Sequence, residues 1–225
     1  MLTCVLSSGL SNNGYTGAGF VCYAFFGLQG LGVANIYIAL WTPVVLMLFF
    51  PVLRIRQKRV NNEEHVLSIK NYFDLTMLAV PAFFVALGLN LLGVAVPRFI
   101  GEFYITDIAV CMGAGLAFFA IGLQVNVRRI RQFAGLYFPV SAVKFFFTPV
   151  IAFCIVVILR AAGLDLTGLS QKVIIVQAFA PSAVLSVTMS TVFDLNGPLA
   201  SSLWVVTNTI FLIVAVPVLF LVLCL

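Results

Sequence analysis

The sequence predicts an all-α, polytopic membrane protein, and three observations predict it. Of 225 residues, 63% are hydrophobic and 8% are charged, against roughly 25% charged in a soluble domain. Apolar segments at 2 to 27, 32 to 53, 74 to 95, 103 to 125, 134 to 160, 173 to 192 and 199 to 222 match the ~20 residues that a helix needs to cross a bilayer, which makes seven spans. The first and sixth of these carry helix breakers near their middles, Asn12-Asn13-Gly14 and Pro181. In hydrocarbon an unpaired backbone group costs several kcal/mol, so interruptions at mid-depth persist only where they face protein or line a wet cavity.

Charge speaks to topology. The net +5 comes from 12 Lys and Arg against 7 Asp and Glu. Arg54, Arg56, Lys58, Arg59 and Lys70 in one loop, and Arg128, Arg129 and Arg131 in another, fall on one side of the predicted spans; Arg98, Arg160 and Lys172 fall on the other. The positive-inside rule puts the richer set in the cytoplasm, so the chain starts inside, ends outside, and runs its two broken spans in opposite directions. Nucleic acid is not implied. The cysteines Cys4, Cys22, Cys111, Cys154 and Cys224 lie singly in apolar stretches, with no C-x-x-C, and read as small hydrophobes rather than metal ligands or a disulfide framework. His65 belongs to the polar loop and reads as solvated. The opening MLTCVLSSGL has no basic residue and reads as the first half of a span rather than a signal peptide.

An internal repeat organises the spans. Gly14 and Pro181 are 167 positions apart, and at the same offset Gly27-Leu28-Gln29-Gly30 falls on Asp194-Leu195-Asn196-Gly197. Four intact spans between the broken ones make the period five helices, and an odd period inverts the second copy in the membrane, giving a 5+5 inverted-repeat architecture. On this reading 1–53 closes the first repeat, 54–73 is a cytoplasmic loop and 74–225 is the second repeat. Three helices of the first copy are then expected ahead of Met1, in a longer parent protein; a seven-helix protein complete in itself is the alternative.

The breaks carry the chemistry. Proline has no N–H, so Pro181 deprives the Gln177 carbonyl of its helical partner, and the half-helix after the break exposes its first N–H groups. That tip bears about half a positive charge and suits a carboxylate. Ser182 and Ser186, one turn apart, are candidate hydroxyl donors, and Gln177 offers an amide on the other side. At the first break Asn12 and Asn13 either cap the following turn or donate to a ligand, while Gly14 and Gly17 permit close approach. Lys144 lies ten positions into its span, at ~1.5 Å per residue about halfway through the bilayer. A lysine there costs on the order of 3 kcal/mol unless partnered and is a functional candidate. No acidic residue shares its depth: Asp107 is about a turn inside the outer face, and Asp74, Glu102, Asp165 and Asp194 fall at span ends or in loops. Lys144 therefore either ties the crossing helices together or recognises a substrate's charge. Gly113, Gly115 and Gly122 read as close-packing positions, and Thr207, Asn208 and Thr209 as either pathway lining or cross-helix hydrogen bonds.

At these residues the chain resembles a family. Ser11-Asn12-Asn13-Gly14-Tyr15-Thr16-Gly17-Ala18-Gly19-Phe20, followed by Phe26-Gly27-Leu28-Gln29-Gly30-Leu31, is similar to the G-N-T-G-F-x-G-x-P and F-G-x-x-G pattern of the auxin efflux carrier family. Phe119-Ala120-Ile121-Gly122-Leu123 resembles its glycine-containing seventh helix, Lys144 with Pro149 its eighth, and Ala180-Pro181-Ser182-Ala183-Val184 the crossover motif of its ninth. Gly19 departs from the pattern, standing where the first repeat often carries proline.

The resemblance implies a secondary transporter of small organic anions, auxin-like compounds or carboxylates, in the plasma membrane or a bacterial inner membrane. It implies a scaffold part, 74–125, and a mobile part, 1–53 with 134–225, with substrate held where the broken helices cross. Asn12, Asn13, Gly14, Lys144, Gln177, Pro181, Ser182 and Ser186 are then the substrate-binding residues, with no cofactor, no metal and no catalytic group. Partners are the anion, the lipid bilayer and, as an allowed state, a second copy in a homodimer. An enzyme is not expected: there is no H-E-x-x-H and no paired intramembrane aspartate. No G-x-x-x-x-G-K-[ST] loop occurs, which argues against ATP-driven transport. The alternative reading is a truncated, non-transporting membrane subunit.

Overall fold

A computed structural model describes residues 1–14, 16–60, 79–95, 97–105, 132–164 and 166–224, with scattered positions from 108 to 123. The start of the expected span 74–95, most of 103–125, the residues around His65 and Arg128 to Arg131, and Asp74, Asp107 and Asp165 lie outside the described residues. The described elements are helical: α1 (Leu2–Gly9), α2 (Ala18–Val60), α3 (Ala79–Leu91), α4 (Arg98–Glu102), α5 (Ala134–Ala142), a π-helical turn (Val143–Phe147), α6 (Thr148–Ala161), α7 (Gly168–Ala178), α8 (Val184–Val192), α9 (Gly197–Ile210), a second π turn (Phe211–Ala215) and α10 (Val216–Leu223). Among the described residues, three helices are long and apolar enough to cross a membrane by length and composition: Ala134–Ala161, Gly197–Leu223 and Ala18–Ala39, the last of them broken at Gly27. Length and composition thus make this a membrane protein. The first and sixth expected spans are interrupted, at 10–17 between α1 and α2 and at 179–183 between α7 and α8.

The chain divides into two compact units, one of Met1–Ile38 with Phe118–Leu225, the other of Ala39–Ala117. The second contains α3 and α4, whose apolar side chains such as Phe84, Val85 and Phe99 are exposed, as expected of surface that faces lipid. All the candidate site residues belong to the first.

Glycine decides the course of α2. At Gly27 the backbone has φ 63° and ψ −156°, a region essentially confined to glycine. Eight residues of unbroken helix rise ~12 Å; yet a Cβ placed on Gly30 would lie 2.6 Å from the Cys22 carbonyl oxygen. The chain therefore turns back on itself at Gly27, where the sequence places the turn between spans. Ala34 of the returning arm packs with Ala18, Val21 and Cys22 of the first, and with Val173, Val176, Ala180, Phe211 and Ala215, as one apolar cluster.

Proline explains the two π turns. Pro149 and Pro217 each follow such a turn by two residues. A proline ring clashes with the carbonyl four residues earlier and offers it no N–H. The widened turn absorbs this, with Thr148 N–H bonding to Val143 O and Val216 N–H to Phe211 O. Lys144 lies within the first of these turns.

On the other side of the crossing, α1 packs against α5, α8 and α9. Here Thr3, Ser7, Ser186, Ser190, Ser201 and Ser202 are all buried, beside an apolar cluster of Val140, Leu199 and Leu203 against which Cys4 packs. Small side chains let helix backbones approach closely, and hydroxyls can bond the carbonyl one turn back, as Ser201 Oγ does to Gly197 O at 2.6 Å. Asn196 caps α9, its side chain accepting from Leu199 N–H at 3.0 Å.

Candidate functional site

The two interruptions meet. Ser11 and Ser182 form an antiparallel β-bridge, in which Asn12 N–H donates to Pro181 O at 2.7 Å and Ala183 N–H donates to Leu10 O at 3.0 Å. Each unwound strand thus supplies the partner that the other lost on leaving its helix. Ser182 Oγ adds a bond to Ser7 O at 2.7 Å. The side chains of Lys144, Gln177, Ser182 and Ser186 are 0–1% exposed, so every polar atom there must find a partner inside the protein or on a ligand.

The first break closes on itself. Asn12 Oδ1 accepts from Thr16 Oγ1 at 2.9 Å, and Asn12 Nδ2 donates to Thr16 O at 3.1 Å. Ala18 N–H, the first of α2, donates to Asn12 O at 2.9 Å, and Gly17 and Gly19 N–H both donate to Gly14 O, at 3.0 and 3.1 Å. So tight is the loop that a Cβ on Gly17 would collide with Asn12 O, and one on Gly19 would lie 2.8 Å from Asn13 O and Gly14 O. Gly14, singled out in the sequence for close approach, is half-buried and has open space where a Cβ would go. The glycines that close packing demands are Gly17 and Gly19.

Lys144 holds the end of α1. Its Nζ donates to Leu10 O at 2.9 Å and to Ser11 Oγ at 2.7 Å. Leu10 is the C-cap of α1, so the ammonium lies where the helix's unsatisfied carbonyls concentrate negative partial charge. Both partners are neutral, and the positive charge is not matched by either.

The second break is left open. Pro181 was expected to orphan the Gln177 carbonyl; Ala180 N–H takes that oxygen instead, at 3.1 Å. The vacancy moves one residue on. Ser182 N–H, the helical partner of Ala178 O, donates to Thr207 Oγ1 at 3.2 Å. Asn208 Nδ2 approaches Ser182 O at 3.4 Å, so both α9 side chains make cross-helix hydrogen bonds. Among the described residues, the carbonyls of Ala178 and Phe179 receive no donor, and the N–H groups of Val184 and Leu185 at the start of α8 have no acceptor. Ser186 Oγ, expected to face a ligand, donates to Ala183 O at 2.7 Å.

Gln177 and Asn13 stand side by side, with Gln177 Nε2 donating to Asn13 O at 3.3 Å and to Cys22 Sγ at 4.0 Å. That donor role fixes which end of the amide is oxygen. Gln177 Oε1 and Asn13 Oδ1 are then buried acceptors with no partner.

All eight residues named from the sequence lie at or beside the crossing. Asn12, Ser182, Ser186 and Lys144 each donate to groups within the protein, while Asn13 and Gln177 keep side-chain oxygens without a donor. Ser7, Ser11 and Thr16 were missed; lone hydroxyl residues beside a break give no sequence signal that separates them from packing residues. Among the described residues no cluster of His, Cys, Asp or Glu could hold a metal. Comparisons with protein families, curated proteins and solved structures return no match to this chain.

Proposed function

We propose that this chain is a secondary transporter of a small organic anion, resembling the auxin efflux carriers, with its substrate held at the crossing of the two broken helices. The observation that carries this reading is the tip of α8. Its first N–H groups, Val184 and Leu185, point to no acceptor among the described residues, and a helix N-terminus is a ready receptor for a carboxylate. Lys144, bridged to that tip through the Leu10–Ala183 hydrogen bond, contributes an amine whose partners are both neutral and which is positive when protonated. A negatively charged substrate would offset that charge in a low-dielectric surrounding.

The inverted repeat of five helices belongs to the same proposal. Two further points support it. The helices after the breaks begin at Ala18 and Val184, and the left-handed turns that end them fall at Gly27, φ 63°, and Asp194, φ 50°, which keeps the 167-residue register within a residue. Seven spans, the 74–125 scaffold and a plasma-membrane or bacterial inner-membrane location complete the reading.

Purified protein in proteoliposomes should accumulate labelled mono- or dicarboxylates or indole carboxylates down an imposed gradient. No flux of any such anion above that of empty vesicles, from protein that remains folded, would overturn the proposal in favour of a non-transporting membrane subunit.

A further inference from the structure

Arg54 is the first charged side chain along the sequence, and Arg56, Lys58 and Arg59 follow it closely. All four positions are helical, because α2 does not stop with its apolar stretch but runs on through Val60. Positions 31–53 hold 23 residues without a charge, which rise about 35 Å and so cross the ~30 Å hydrocarbon core. The helix beyond them, 54–60, adds about 10 Å, against a headgroup layer of roughly 5–8 Å in each leaflet. The four cations are therefore carried at headgroup depth, on a regular backbone rather than a loose loop.

Helical register sorts them into two pairs. Positions 54 and 58 are one turn apart on one side of α2, and 56 and 59 are one turn apart on the other. Like charges at these spacings are neighbours and weaken a helix. The helix dipole favours cations within the last turn, which covers 58 and 59 but not 54 and 56. Arg56 is exposed and Arg54 half-buried. No acidic residue lies between 54 and 60; Glu63 and Glu64, outside the described residues, leave 54–64 net positive. The positive-inside rule accounts for the side of the membrane on which such residues fall, but it does not call for a helix that holds them in facing pairs. An anion set against each pair turns the repulsion into attraction, and the anion present at that depth on both sides of a membrane helix is a lipid phosphate.

We infer that the 54–60 end of α2 is a binding site for anionic phospholipid, of the phosphatidylglycerol or phosphatidylserine kind, with one headgroup against each pair of cations. Basic residues beside a span attract such lipids by an amount that grows with each Lys or Arg. A zwitterionic lipid also carries a phosphate, but its own ammonium cancels the charge, so net headgroup charge is what the site selects. The inference rests on 31–53 crossing the bilayer and not on anything being carried across it.

The test uses the full chain in phosphatidylcholine nanodiscs doped with phosphatidylglycerol at rising mole fraction, and follows thermal unfolding. Phosphatidylglycerol is expected to raise the midpoint saturably, and about 0.5 M sodium chloride to remove most of that increment. Replacing Arg54, Arg56, Lys58 and Arg59 together by Gln should abolish the response, whereas Arg54→Lys, Arg56→Lys and Arg59→Lys combined should keep it. Should the four-fold Gln variant not fold, the paired variants carry the test: Arg54→Gln with Lys58→Gln, or Arg56→Gln with Arg59→Gln, should each raise the half-saturating fraction by about tenfold or more. Equal midpoints with and without phosphatidylglycerol would overturn the site, as would a folded Gln variant that responds as the parent does. An equal shift from inorganic phosphate added to pure phosphatidylcholine discs would also overturn it, since the site would then read free phosphate rather than lipid. Anion flux enters none of these readouts, so failure here and failure of the transporter reading are separable.

Discussion

The first break, at 10–17, and the second, at 179–183, are paired by one β-bridge yet are finished in opposite ways. In the first, the chain supplies its own closure: Asn12 is spent on Thr16, the starting N–H groups of α2 are spent on Asn12 O and Gly14 O, and the end of α1 is held by Lys144. In the second, the corresponding groups are open at both tips: carbonyls at the end of α7, N–H groups at the start of α8. A crossing that looks two-fold in its backbone is therefore one-sided in its chemistry. The open backbone groups belong to the second break, whereas the first closes on itself and leaves only the Asn13 side-chain oxygen unpaired among its described residues. The cause is local sequence: glycines and asparagines let 10–17 curl back onto itself, whereas Pro181 lacks the N–H and the freedom to do so.

Substitutions can break or sharpen this contrast. The largest effect is expected for Lys144→Met. The apparent anion affinity in proteoliposome flux should fall by about 100-fold, the scale for removing one charge from a buried pair. Folding stability should change by less than ~1 kcal/mol, because the lost hydrogen bonds are offset by no longer burying an ammonium. Collapse of the fold in detergent unfolding would instead make Lys144 a strut for α1 and nothing more. Next comes Gly17→Ala, which drives a methyl into Asn12 O and should cost about 1–3 kcal/mol in the same assay; a neutral result would mean that the first break is not the rigid partner. Thr207→Val strips the acceptor of Ser182 N–H and should cost about 1–2 kcal/mol, with anion flux weakened as the second break loses its shape. The smallest effect is expected at Gly14→Ala. Open space surrounds that position, so stability should stay within ~0.5 kcal/mol, and a large loss of flux with intact folding would show substrate passing there.

The pattern of apolar length and breakers was legible in the chain because bilayer thickness and backbone hydrogen bonding act on local sequence. Pro181 and Asn12-Asn13-Gly14 mark interruptions whatever surrounds them, and a lone lysine within an apolar span marks a point of unpaid desolvation. Gly27 was readable as a turn for the same reason. Much less legible was the use made of each polar atom. Ser186 as a back-bonding hydroxyl and Asn12 as a loop closure use partners within the same turn, whereas Lys144 on Leu10 O and Ser182 Oγ on Ser7 O join chain segments more than a hundred residues apart.

By itself, then, the sequence determined an all-helical membrane chain, the places where its helices must stop, and the charge that one of them buries. Only the tertiary structure decided that Leu10 O serves both Lys144 and Ala183, that Thr207 intercepts Ser182 N–H, and that Asn13 and Gln177 are left holding unpaired oxygens. The physical reason is that propensity and hydropathy are properties of neighbours along the chain, whereas satisfying a buried donor or acceptor is a property of neighbours in space.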